Sequence, residues 1–264
     1  MAELTLATKH GQIQSERSDI ELAPELIEIQ EKIKQDKHNS QLWFDLGQAY
    51  KAQNLCREAV EALSMCLSFD PFNAQAYRYK GHYNINIGRF EEAASDLMLA
   101  SRLDPSDWSI WYHLGLSFYL IADYERADAA FSECLRLAQT FEYVVDSVNW
   151  LWMLRMQMGQ TARAKEVIDL VEPGKPCESH EYYNRCMVFG GHVDPEEVLA
   201  HARTLSDHLY VTEGYGVACY YEVTGNLVRA DEIFDELEQH CDEMWSGFAA
   251  HAVRVRQARR RTKS

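Results

Sequence analysis

A period of 34 residues organises the chain more strongly than any other feature. Segments starting at Ser40, Ala74 and Trp108 align without a gap. Position 4 of each is Trp43, Tyr77 and Trp111. Position 8 is Gly47, Gly81 and Gly115, and position 20 is Ala59, Ala93 and Ala127. Position 24 is Leu63, Leu97 and Phe131, while position 32 is Pro71, Pro105 and then Gln139. A fixed period of this size means stacked units, none of which can bury its apolar face alone. Small residues at 8 and 20 allow two helices of a unit to approach closely. Large ones at 4, 11 and 24 fill the space beside them. Asp70-Pro71 and Asp104-Pro105 end a unit, because the residue before proline avoids the helical region.

This pattern resembles the tetratricopeptide repeat, with its W-x2-L-G-x2-Y…A-x3-F…P signature, because several of the same small-or-large choices recur here in phase three times. The resemblance implies an all-α, right-handed superhelical solenoid of about six helix-turn-helix repeats, with a concave groove that takes a peptide or protein partner. It is strongest over 40–137 and extends to about 240. Repeats are expected near 40–73, 74–107, 108–141, 145–176, 177–210 and 211–243, with a slip of register before Val145. Asp194, Pro195 and Glu197 read as N-cap, N1 and N3 of a helix. Gly225-Asn226 reads as a turn. Leu22, Leu26, Ile29 and Ile33 share one side of a capping helix within 20–38, and 244–264 reads as a C-terminal capping helix with a basic tail. Residues 1–19 are expected to be disordered. IWYHLGLSFYL, the WLW segment and TEGYGVACYY also resemble bacterial tetratricopeptide proteins of unassigned activity.

Charge narrows the partners. The net charge is −15. The last 11 residues hold six basic groups and no acidic one, so 20 basic residues face 41 acidic ones in the rest of the chain. Such a body does not suit nucleic acid or an anionic membrane, except weakly through the tail. Self-association of the tail with the acidic segment 231–243 is a further expectation. No run of 18 apolar residues occurs, the first residues are not expected to act as a signal peptide, and the seven scattered cysteines form no CxxC pair. This usage suits reduced thiols and a cytoplasmic setting.

Helical residues advance by 100°. Positions 4, 7, 8 and 11 of a first helix therefore share the packing face. Positions 2, 5, 6, 9, 12 and 13 share the opposite face, which lines the groove in the resembled family. The candidate partner-binding residues there are Phe44, Gln48, Arg78, Tyr79, His82, Tyr112, His113, Tyr119, Asn149, Trp150, Met153, Glu181, Arg185 and Tyr215. Aromatic rings with a few polar handles are what binding surfaces use. Chaperone-binding members of the family hold a C-terminal EEVD carboxylate with Lys, Asn and Arg. Phe44, Gln48, Tyr79, Ser109 and His113 occupy those places here, so no such clamp is expected.

No HExxH, Walker, GxSxG or GxGxxG motif occurs, and no cofactor, metal or catalytic residue is assigned. Glu181 and Arg185 stand i,i+4 and suit a salt bridge. Gly214 and Gly216 interrupt a helical pattern, which points to close helix packing. The expected function is a non-enzymatic scaffold or adaptor. The rival is a small-molecule binder or enzyme built around Arg78, His82, Tyr112, His113 and Trp150.

Overall fold

The computed structural model describes residues 21–242 and 247–263. The expected disordered segment 1–19 and residues 244–246 of the C-terminal segment lie outside them. Fourteen helices and no strand occur among the described residues. The chain divides into two compact units, 1–117 and 118–264, with the division falling inside a helix.

The first unit contains α1 (Pro24–Gln35), α2 (Ser40–Ala52), α3 (Cys56–Phe69), α4 (Ala74–Asn86), α5 (Phe90–Leu103) and most of α6 (Trp108–Leu120). The starts of α2, α4 and α6 lie 34 residues apart, as do those of α3 and α5. Local chemistry sets these starts. Asn39 and Asn73 accept from the backbone N–H groups of Leu42 and Ala76, and Asp107 accepts from that of Ser109. The asparagines and the aspartate recur at the same period. Trp43 and Trp111 donate their indole N–H groups to Lys37 O and Pro105 O, each at 2.9 Å, and so tie the preceding loop to the helix.

Glycine at position 8 is required by packing. A Cβ on Gly47 would stand 2.8 Å from Leu63 Cγ and 3.3 Å from Ala59 O. One on Gly81 would stand 2.5 Å from Leu97 Cγ. Positions 8, 20 and 24 therefore meet as the repeat pattern implies. Leu26, Ile29 and Ile33 of α1 are buried with Leu46 and Ala62, covering the first end of this core.

The second unit holds the end of α6, α7 (Tyr124–Leu137), α8 (Phe141–Gln157), α9 (Thr161–Ile168), α10 (His180–Phe189), α11 (Pro195–Arg203), α12 (Asp207–Thr224), α13 (Leu227–His240) and α14 (Phe248–Lys263). The turn before α7 bends at Ala122, which sits at φ 62°, where repeats one and two have Asn54 and Gly88. Helix α8 starts at Phe141 rather than near Val145, because Thr140 caps it on Tyr143 N. Likewise α12 starts at Asp207, capped by Ser206 on Leu209 N, ahead of Val211. Asp194 accepts from Glu196 N at the start of α11, and Gly225 ends α12 at φ 94°.

All seven cysteines are buried free thiols. Burial pushes the thiols of Cys56 and Cys66 up to about 11, so they stay protonated. No helix among the described residues is long and apolar enough to cross a membrane.

Candidate functional site

In the first unit the inward positions of α2, α4 and α6 build one ladder of rings and charges. Phe44 meets Tyr79 edge-on at 5.7 Å, and the Arg78 guanidinium lies 3.8 Å over the Tyr79 ring. Arg78 is held from behind. Its Nε donates to Gln75 Oε1 at 2.8 Å and its Nη1 to Ser109 Oγ at 3.0 Å. Gln75 in turn donates to Asp107 Oδ2 at 2.9 Å, and that oxygen lies 3.8 Å from Arg78 Nε. Tyr83 donates to Gln48 Oε1 at 2.7 Å. Phe44, Gln48, Arg78 and Tyr79 remain half-buried, so each offers part of its surface to solvent.

His82 and His113 are placed beside each other with ring centroids 4.3 Å apart. Burial drives both imidazoles below the ordinary histidine range, His82 well below it and His113 to about 4. The backbone oxygen of Ser109 lies 2.6 Å from His113 Nδ1, which fixes the proton on that nitrogen. Tyr112 is buried and stacks on Trp108 at 4.8 Å. These three are packed rings, and the two imidazoles are neutral at physiological pH.

In the second unit the inward positions are interior. Trp150 is 1 % exposed and Arg185 0 %. Tyr119, Asn149, Met153 and Tyr215 are buried as well, and Glu181 is half-buried. Trp150 stands at the centre. It meets Tyr119 at 5.2 Å, Phe131 at 6.0 Å, Tyr215 at 6.3 Å and Tyr182 at 6.4 Å. The Tyr119 and Tyr215 hydroxyls share a hydrogen bond of 2.6 Å.

The Glu181–Arg185 salt bridge expected from their spacing is absent among the described ion pairs. Arg185 instead turns into a cage of Trp150 (5.3 Å), Tyr182 (5.3 Å) and Tyr215 (5.6 Å), and its Nη2 reaches Met153 Sδ at 3.0 Å. Cation–π attraction is strongest where water is excluded, and that favours the cage over a half-exposed carboxylate. Gly216 makes this possible, since a Cβ there would lie 2.3 Å from Arg185 Nε. Gly214 serves Leu237 in the same way, at 2.7 Å from its Cδ2. The close packing that explains both helical glycines is therefore with Arg185 and Leu237.

The basic tail is engaged inside its own unit. Arg256 pairs with Glu222 (2.9 Å) and Asp231 (2.7 Å) and lies 4.2 Å over Phe234. Arg260 pairs with Asp231 and Asp235, and Arg261 with Glu238. Periodicity could not reveal this pairing, because it joins α14 to α12 and α13 through side chains far apart in sequence.

Comparison with known proteins agrees with the geometry. Residues 109–141 match the family model described as "Tetratricopeptide repeat". A solved structure titled "Crystal structure of YrrB: a TPR protein with an unusual peptide-binding site" shares 16% identity and a TM-score of 0.51. The match covers 85% of this chain and 96% of that one. The chain has the fold of tetratricopeptide-repeat proteins. The "Crystal structure of MamA" matches with 21% identity and a TM-score of 0.52, over 55% of this chain and 83% of that one. In sequence, 82 residues are 29% identical to "Cell division cycle protein 27 homolog" of Caenorhabditis elegans. That match covers 31% of this chain and only 10% of the relative's length.

Proposed function

We propose that this tetratricopeptide-repeat chain is a non-enzymatic interaction module that binds an extended peptide or protein segment, and that the inward face of α2 and α4 is where it does so. The observation that carries this reading is the Phe44–Tyr79–Arg78 stack. Its members are half-buried, and Arg78 is held in place by Gln75 and Ser109. A pre-ordered aromatic–arginine patch loses little side-chain entropy on association. Arginine over tyrosine suits a segment carrying Asp or Glu beside an apolar residue.

Supporting this over the rival pocket reading, His82 and His113 pack against each other as neutral rings, and Tyr112 is spent on Trp108. Asn149, Trp150, Met153, Arg185 and Tyr215 belong to the second unit's interior and serve this reading as supporting structure. The inward face lacks the Lys and Asn of an EEVD clamp, so a chaperone tail is not its ligand. The tail's pairing with carboxylates in its own unit speaks against nucleic acid and self-association through the tail, and the bulk composition suits a cytoplasmic protein.

Selection of a displayed peptide library on the full chain tests the reading. Acidic–aromatic peptides should be enriched, and Arg78→Ala with Tyr79→Ala should abolish their binding while leaving the helical signal unchanged. Undiminished binding by that double variant would exclude this face.

A further inference from the structure

A cavity of about 410 Å³ lies in the second unit between α14 and the elements it covers. Its size falls within the range of small-ligand sites. One side is made of rings, those of Tyr119, Tyr124, Tyr215 and Phe234, with Leu120 and Val255 beside them. Planar apolar walls of this kind fit a ring-bearing molecule.

The charges in the same lining are not evenly matched. Arg256 is balanced by Glu222 and Asp231, and Arg260 by Asp231 and Asp235. Arg259 has no carboxylate within 4.0 Å among the described residues. Its Nη2 donates to Leu120 O at 2.8 Å, and it also donates to the Tyr124 hydroxyl. These two bonds orient the guanidinium and leave other N–H donors of its five unused. Gln157 supplies the complementary group. Among the described residues its Oε1 accepts no hydrogen bond and lies out of contact with solvent, so the side chain of Gln157, which lines the cavity, must turn for that oxygen to face a ligand. A buried acceptor of this kind costs free energy until a donor reaches it.

We propose that this cavity is a binding site for a small aromatic monocarboxylate that also carries an N–H or O–H donor. The carboxylate pairs with Arg259, the ring lies among the tyrosines, and the donor satisfies Gln157 Oε1. One uncompensated cation fits one negative charge. A dianion such as a phosphate monoester would place its second charge near Glu222 and Asp231, which already line the site. This site lies in the second unit and does not depend on the peptide-binding reading of α2 and α4.

The test titrates the full chain with a panel of ring-bearing monocarboxylates, headed by 4-hydroxybenzoate, followed by saturation-transfer NMR and calorimetry. Matched probes separate the contributions: 4-methoxybenzoate lacks the donor, 4-hydroxybenzamide lacks the charge, and phenyl phosphate carries two. The hydroxy acid should bind best. Arg259→Gln should weaken it by about tenfold, the loss expected for one charge-assisted hydrogen bond. Arg259→Lys should keep the preference for acid over amide. Gln157→Leu should erase the preference for hydroxy over methoxy without touching the acid–amide preference. An Arg136→Gln variant, altered on an exposed side chain of α7, should bind as the parent does. The proposal is overturned if no acid of the panel binds at about 5 mM. It is also overturned if the amide or phenyl phosphate binds as tightly as the acid, or if Arg259→Gln leaves the affinity unchanged while preserving the helical signal.

Discussion

Replacing Gly216 by alanine puts the account of the second unit's interior at risk. Alanine in mid-helix is normally favourable by about 1 kcal/mol over glycine. Here the added Cβ would stand 2.3 Å from Arg185 Nε, 2.6 Å from its Cγ and 2.8 Å from its Cδ. Those atoms are the middle of the side chain, and Arg185 is fully buried, so the guanidinium cannot swing aside. Overpacking of a core typically costs about 1–3 kcal/mol. Shifting the cation off one of its three rings forfeits roughly a further 0.5–2 kcal/mol. After subtracting the propensity gain, the expected destabilisation is about 2–3 kcal/mol, or roughly 5–10 °C in Tm for a chain of this size. Urea unfolding followed by circular dichroism measures it. The decisive comparison is a double-mutant cycle with Arg185→Ala. In that background the alanine methyl enters vacated space, so Gly216→Ala should stabilise by about 1 kcal/mol and the coupling should be about 3–4 kcal/mol. A Gly216→Ala variant as stable as the parent, or an uncoupled cycle, would refute the claim that this glycine exists for Arg185.

Other outcomes follow from the same geometry. Ala122→Gly should stabilise the chain by about 0.5–1 kcal/mol, because φ 62° strains any residue with a Cβ; a lower urea midpoint would contradict this. Burial holds the His113 imidazole near 4, below its ordinary range, so the stabilisation from keeping the ring neutral is complete above about pH 6.5. It is lost as the pH falls toward 4, by about 3 kcal/mol in all, and His113→Asn should flatten that part of a stability–pH profile. Asp146 acts in the opposite sense. Burial raises its carboxyl to about 7, so its contribution is full at low pH and fades as the pH rises through 7; Asp146→Asn should remove that upper limb. Trp43→Phe should cost about 0.5–1.5 kcal/mol through loss of the bond to Lys37 O, and unchanged amide exchange at residues 37–39 would argue against that tie.

Much of this architecture was legible from periodicity. Gly47, Ala59 and Leu63 recur with Gly81, Ala93 and Leu97 because each set is one close helix contact, repeated wherever the same local sequence recurs. The inward face of the first unit was equally legible, since a 100° advance places Phe44, Arg78 and Tyr79 without knowledge of any partner. Burial along that face was not. The same register assigned Trp150, Arg185 and Tyr215 to a groove, yet these side chains turn on one another and close the interior. Helical phase states direction and says nothing about what stands opposite.

The sequence by itself determined the repeat, the two helices of each unit, the glycines that let them touch and the acidic body with its basic end. Those are short-range properties, encoded within some 34 residues. Only the tertiary structure decided that Arg185 leaves Glu181 for an aromatic cage, that His82 and His113 spend their rings on each other, and that the tail arginines neutralise carboxylates of α12 and α13. It likewise set Arg259 beside a cavity with no carboxylate within 4.0 Å among the described residues. Each of those outcomes depends on which side chains meet across helices distant in sequence. Charge pairing and burial are properties of that meeting, so no pattern along the chain could fix them.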